Sequence, residues 1–381
     1  MTSPRFPESS AAPLRWRPCD LALLDMTACQ RAPVIGQDHV LRASADVDVW
    51  DAWPMATAEG SPFPWRGGEL WFALAAPVHD DPEVRHGVAR IHHFHRIGGR
   101  FEHLGATFPM DFTPGSREWS GCAVTDGQDV TLYFTATGAR GEVAPSFLQR
   151  IFAATAQLQD SVEAFSDWSE PVEVVRPDGV VYMDEHEATG RIGEIKAFRD
   201  PGFCRTSTGV DCLLFTASSA EGRDSHNGVI GCAVRDGEGM FRIQAPLVEA
   251  VGTNNELERP HLIEHAGRCY LFWSTQAFAF APGIDAPTGL YGAVADDLFG
   301  PWRLLNGHGL VLANPETEPF QCYSWWVLPD LSVGGFVDYW GIKDALAREK
   351  PEGRRHFGGT FAPFLQLQLD GDVATLADGY A

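Results

Sequence analysis

No stretch of 18 or more residues in this chain is continuously apolar, so no segment of the sequence reads as a membrane-spanning helix. The longest uncharged run, Cys269 to Ile284, is interrupted by Ser274, Thr275, Gln276 and Pro282. Positive charge is scarce: 29 Lys and Arg against 51 Asp and Glu leave a net charge of −22. A field of that sign repels phosphate backbones and anionic headgroups, so neither nucleic acid nor a membrane surface is an expected partner. The eight cysteines never form a Cys-x-x-Cys pair, and none has the Cys/His spacing of a zinc site. Cys122, Cys212, Cys232 and Cys269 lie in apolar, strand-like runs, where buried thiols are expected rather than a disulfide framework. GxSxG, GxxxxGK[ST] and GxGxxG are all missing, which argues against hydrolase-elbow, P-loop and dinucleotide-binding readings. The first residues also lack the charged start, apolar core and small-residue cleavage site of a classical signal peptide.

What the chain has is turns and short apolar runs. Its 381 residues are 44% apolar, enough for a large core, and carry 39 Gly and 26 Pro. Between these punctuating residues lie β-branched and aromatic segments with little helical periodicity. Five of them resemble one another around Phe72, Phe134, Phe215, Phe272 and Phe336. A further strand follows each of the first four, around Ile91, Ile151, Ile230 and Tyr291. A strand cluster returning about every 65 residues suits a radial array of sheets. The expectation is an all-β, five-bladed β-propeller with a central, negatively charged pocket; a β-sandwich is the competing architecture. The expected organisation is an N-terminal tail over residues 1–14 and one propeller domain over 15–381.

A propeller gathers loops and inner-strand ends at one mouth, so carboxylates inside apolar segments are the candidates for chemistry. Asp51 lies between Trp50 and Trp53 in a strand-like run that Pro54 is expected to end; alternation puts Asp51 and Trp53 on one face. Arg199-Asp200-Pro201 closes another apolar run, where a turn staple is the plainer reading. In Glu256-Leu257-Glu258-Arg259, alternation puts the two carboxylates on one face and Arg259 on the other. Like charges so close raise one pKa, a way to hold a general acid protonated near neutrality. The first and third segments alone are equally compatible with a surface carboxylate. His92-His93-Phe94-His95 lacks partners with metal-ligand spacing, and Asp184-Glu185-His186-Glu187 reads as a solvated loop.

Together and in this order, the segments Trp50–Pro54, Glu118-Trp119-Ser120-Gly121, Arg199–Pro201 and Glu258–His261 resemble those of glycoside hydrolase family 68, the levansucrases and related fructosyltransferases. Looser matches run through residues 305–312, Tyr323-Ser324 and residues 358–363, so the resemblance spans roughly residues 15–370, as in the compact members. It implies a five-bladed β-propeller and a retaining, sucrose-cleaving fructosyltransferase without a cofactor, whose partners are sucrose and fructosyl acceptors. In that scheme Asp51 matches the nucleophile, Asp200 the transition-state stabiliser and Glu258 the acid/base. Trp50, Trp119, Ser120, Arg199, Glu256 and Tyr323 match positions lining the sucrose pocket.

Two departures from the family pattern bear on function. Gln276 stands where many polymer-forming relatives have His or Arg, a position that steers fructosyl units toward polymer, oligosaccharide or water. Asn255 stands where calcium-binding members have Asp; a neutral amide is a weaker ligand for a hard cation, so no structural metal is expected. A β-fructofuranosidase that mainly hydrolyses sucrose is the alternative, and a sugar-binding propeller without catalysis a more distant one. The resemblance implies secretion without a classical signal peptide, with a cytoplasmic location as the alternative.

Overall fold

All five phenylalanines singled out by spacing lie on the second strand of an antiparallel sheet. The structure, a computed structural model, describes residues 12–184, 195–221, 225–237, 239–344, 348 and 351–380. Blade I runs through Val47–Ala56, Gly68–Pro77, Arg90–Ile97 and Arg100–Ala106. Blade II comprises Arg117–Thr125, Asp129–Thr137, Gln149–Leu158 and Val172–Val175. Blade III is built on Phe198–Arg205, Asp211–Ser218 and Gly228–Arg235. Blade IV is built on Glu258–His265, Arg268–Thr275 and Gly289–Ala295. Blade V is built on Cys322–Val327 and Ser332–Tyr339. The second strands are buried on both faces, which is why they read as unbroken apolar runs.

The first strand of each blade packs beside the first strand of the next, and that of blade V returns to that of blade I. The ring is therefore closed, and the fold is a five-bladed β-propeller. Blades I and II are further joined by parallel pairing of Met55 with Ala123 and Ala56 with Val124. At the junction of blades V and I, Asp48 is buried between Arg42 and Arg354, with oxygen–nitrogen distances of 2.7–3.1 Å.

The chain is ordered from before residue 15: Leu14–Arg15 pairs in parallel with Val248–Glu249 on blade III. Trp16 follows, buried against Trp273, Phe280 and Tyr291 of blade IV. The prolines expected to end strands do not. Pro54 and Pro201 lie inside first strands, as does Pro260; these strands have an open edge facing the axis, where a missing N–H costs no ladder bond. Residues 185–187 of the acidic loop reading lie outside the described residues.

Candidate active site

Each first strand carries one extra residue at the same level. Trp50 pairs with Leu74, but the next partners are Trp53 and Phe72. The same slip separates Trp119 from Gly121, Arg199 from Gly202, Glu258 from His261 and Tyr323 from Trp326. These are β-bulges, which re-aim side chains and increase local twist. In four blades the bulged residue has a left-handed backbone: Asp51 (φ 51°), Asp200 (57°), Arg259 (53°) and Ser324 (58°). Ser120 stands at that level in blade II.

The bulges overturn the alternation read from sequence. Asp51 and Trp53 are not related by simple period two, because the extra residue resets the pleat between them. Arg259 does not point away from Glu258; both line one cavity of about 740 Å³ at the ring's centre. Glu256 precedes the strand, which starts at Glu258. The cavity is also lined by Trp50, Asp51, Trp119, Ser120, Arg199, Asp200, Glu256, Gln276 and Tyr323, so every site residue expected from sequence converges there.

Arg199 is the hub of the carboxylates. Its Nη2 lies 2.9 Å from Glu258 Oε1 and 3.2 Å from Glu256 Oε1, and its Nε lies 3.4 Å from Asp200 Oδ2. Asp200 also accepts hydrogen bonds from Ser120 Oγ (2.7 Å) and Thr216 Oγ1 (3.0 Å). Tyr323 donates its hydroxyl to Glu258 Oε2. Arg259 donates to Ser324 Oγ at 2.6 Å and to the Ala52 carbonyl at 2.7 Å, bracketing the bulge that bears Asp51.

Burial, and then the like charges of Asp200 and Glu258, raise the Asp51 carboxyl to about 6 against the pull of Arg259 and a Ser324 hydrogen bond. Glu256 is raised to about 7, by burial first and by Glu258, with Arg199 opposing. Glu256 and Glu258 share the same Arg199 Nη2.

Two motif residues are structural. Glu118 is buried away from the cavity on Arg90 Nε (2.8 Å) and Ile91 N. His261 accepts from Val327 N through Nε2 and faces the Arg259 carbonyl with Nδ1, the tautomer of a neutral ring that burial keeps uncharged.

Sequence reasoning missed Arg259 and Ser324, although aligning the five bulges would have exposed both. It also missed a polar wall of Glu83, Arg85, His86 and Asp338. There Arg85 Nη1 holds Glu83 at 2.9 Å, Tyr339 donates to Glu83 at 2.6 Å, and burial raises Asp338 to about 7. Among the described residues, no group of three or more His, Cys, Asp or Glu side chains is disposed to hold a metal ion. All eight cysteines are free thiols, six of them buried.

Comparison with known proteins gives a consistent result. A family model described as Levansucrase/Invertase matches residues 8–234 and 225–381. The chain is 30% identical to levansucrase LscC of Pseudomonas savastanoi pv. glycinea over 393 aligned positions, covering 91% of this chain and 86% of that protein. It is 30% identical to a levansucrase of Erwinia amylovora, covering 88% of each. Among solved structures, an inulosucrase from Halalkalicoccus jeotgali bound to kestose superposes with a TM-score of 0.87 at 32% identity, covering 96% of this chain and 95% of that one.

Proposed function

The chain belongs to the levansucrase/invertase family, and from that membership we propose that it is a sucrose-cleaving fructosyltransferase working by retaining double displacement. One observation carries the reading to these residues: bulges on three different blades bring Asp51, Asp200 and Glu258 to a single cavity. A retaining enzyme needs one carboxylate to attack and one carboxyl to give a proton, both reaching the same glycosidic bond.

In the first step the Asp51 carboxylate attacks the anomeric C2 of the fructosyl unit. The C2–O bond breaks, Glu258 gives its proton to the departing glucosyl oxygen, and a fructosyl ester remains on Asp51. In the second step Glu258 takes the proton of an acceptor hydroxyl, whose oxygen attacks C2 and frees Asp51. Asp200, fixed by Ser120 and Thr216, accepts hydrogen bonds from fructosyl hydroxyls as positive charge develops on the ring. Arg199 keeps Glu256 and Glu258 together, so the proton that Glu256 retains up to about 7 stays beside the leaving-group side of the cavity. Trp50 and Trp119 line the same cavity and exclude water from the ester.

The acceptor decides between transfer and hydrolysis, and the test is to incubate the purified protein with sucrose and measure free glucose and free fructose separately. Glucose well above fructose is expected, with the missing fructose in oligomers or polymer. Equal amounts would make the protein a β-fructofuranosidase, and release of neither sugar from folded protein would overturn the reading.

A further inference from the structure

We propose that the ammonium of Lys196 is a built-in structural cation for the loop that bears Glu256 and leads into Glu258, filling the role that a bound calcium ion has in calcium-binding members. Lys196 Nζ lies 2.6 Å from Asn227 Oδ1, 2.7 Å from Asn255 Oδ1 and 2.5 Å from the Ser225 carbonyl. Both asparagines are buried. A calcium ion would sit about 2.3–2.6 Å from such oxygens, close to the point the ammonium nitrogen occupies, and the two cations exclude each other. With the ammonium at that point, the residues present do not fit calcium.

The same lysine reaches the site in two directions. Through its ammonium it holds Asn255, whose N–H donates to the Ala279 carbonyl (2.9 Å) and which directly precedes Glu256. Through its own carbonyl it accepts from Gln149 Nε2 (2.9 Å), and Gln149 Oε1 takes Phe198 N and Arg199 Nη1 at 3.2 and 3.3 Å. Lys196 is thus a positioning residue for both Glu256 and the guanidinium that grips it. Its catalytic consequence rests on the proposed function; its structural consequence does not.

The test combines Lys196→Met with the double variant Lys196→Ala/Asn255→Asp, and it uses calcium chloride and EDTA as probes. Wild-type Tm should be indifferent to both reagents. Lys196→Met should melt several degrees lower and lose about tenfold or more in kcat on sucrose with a smaller change in KM. The double variant removes the ammonium and places a carboxylate at residue 255, so millimolar calcium should raise its Tm and recover kcat, and EDTA should reverse both. Loss of wild-type Tm in EDTA with recovery on calcium would overturn the proposal, as would an unchanged Lys196→Met or a folded double variant blind to calcium. If Lys196→Met does not fold, the wild-type and double-variant responses still decide. Melting is read without sugar, so failure of the sucrose reading would leave this result standing.

Discussion

Thr216 offers the sharpest test of how the ring holds its charged bulges. Its side chain is fully buried, and its hydroxyl has two partners in two blades. It donates to Asp200 Oδ2 at 3.0 Å and accepts from the backbone N–H of Arg259 at 3.1 Å. Thr216→Val keeps the shape and deletes both bonds. Arg259 N–H is then a buried donor without an acceptor, at a cost of about 1–3 kcal/mol, and Asp200 loses one of its charge-assisted bonds, worth about 1.5–3 kcal/mol. A melt should fall by several degrees. To the extent that the lost Asp200 bond is one the transition state needs, 1.5–3 kcal/mol corresponds to roughly a ten- to hundredfold loss in kcat. KM should change less, because Thr216 does not line the cavity. The assay is initial glucose release from sucrose beside thermal melts of wild type, Thr216→Val and Thr216→Ser, the last of which restores the hydroxyl and most of the activity. A Thr216→Val enzyme within about twofold of wild type in kcat would refute the reasoning.

Glu258→Gln should cripple sucrose cleavage but spare more activity on a fructosyl fluoride, whose leaving group needs little protonation; equal losses on both would remove its role as acid. On the fluoride, the rise of kcat/KM with pH should also move. Asp51 must be ionised to attack and is held up to about 6 partly by the Glu258 charge, so removing that charge shifts the midpoint downward, and an unmoved midpoint would contradict the electrostatic account. Gln276→His or Gln276→Arg should change the ratio of fructosyl transfer to hydrolysis more than the total sucrose consumed. Paired glucose and fructose assays check this, and an unaltered ratio would take Gln276 out of the acceptor path.

Much of the fold was legible because the middle strands of a blade are buried on both faces. The runs around Phe72 and Phe215 show this in full, and the third strands at Ile91, Ile151, Ile230 and Tyr291 follow at nearly constant spacing. Blade V hid its third strand because it is split: Phe357–Phe361 and Leu365–Asp370 pair with different parts of Ser332–Tyr339. Asp51, Asp200 and Glu258 stood out as acids in apolar company. Their orientation did not, since period-two reasoning assumes an unbroken pleat and fails at an inserted residue. Arg259 was assigned to the wrong face for that reason. Glu83 was invisible for another: it follows His79-Asp80-Asp81-Pro82, which reads as a solvated turn, and only the fold brings it against Tyr339 and Arg85.

The repeated bulge explains why a propeller can present so much charge at its axis. An unbroken first strand would aim every second residue inward; an inserted residue lets neighbouring ones reach the cavity, as Trp50 with Asp51 and Arg199 with Asp200 do. A left-handed backbone at a non-glycine residue costs on the order of 1–3 kcal/mol, so the surroundings must hold it. Thr135 accepts from Asp200 N (2.9 Å), Thr216 from Arg259 N, and Ser274 from Trp325 N (3.1 Å), one residue past the bulge of blade V. These three hydroxyls occupy one register position, opposite Trp119, Arg199 and Glu258, and each reaches into the next blade. At the same position blades I and V carry Leu74 and Phe336 instead, and both line the cavity. The ring is thus polar and locked where Asp200 and Arg259 are held, and apolar at the positions opposite Trp50 and Tyr323. Burial is the leading cause of the raised pKa of Asp51.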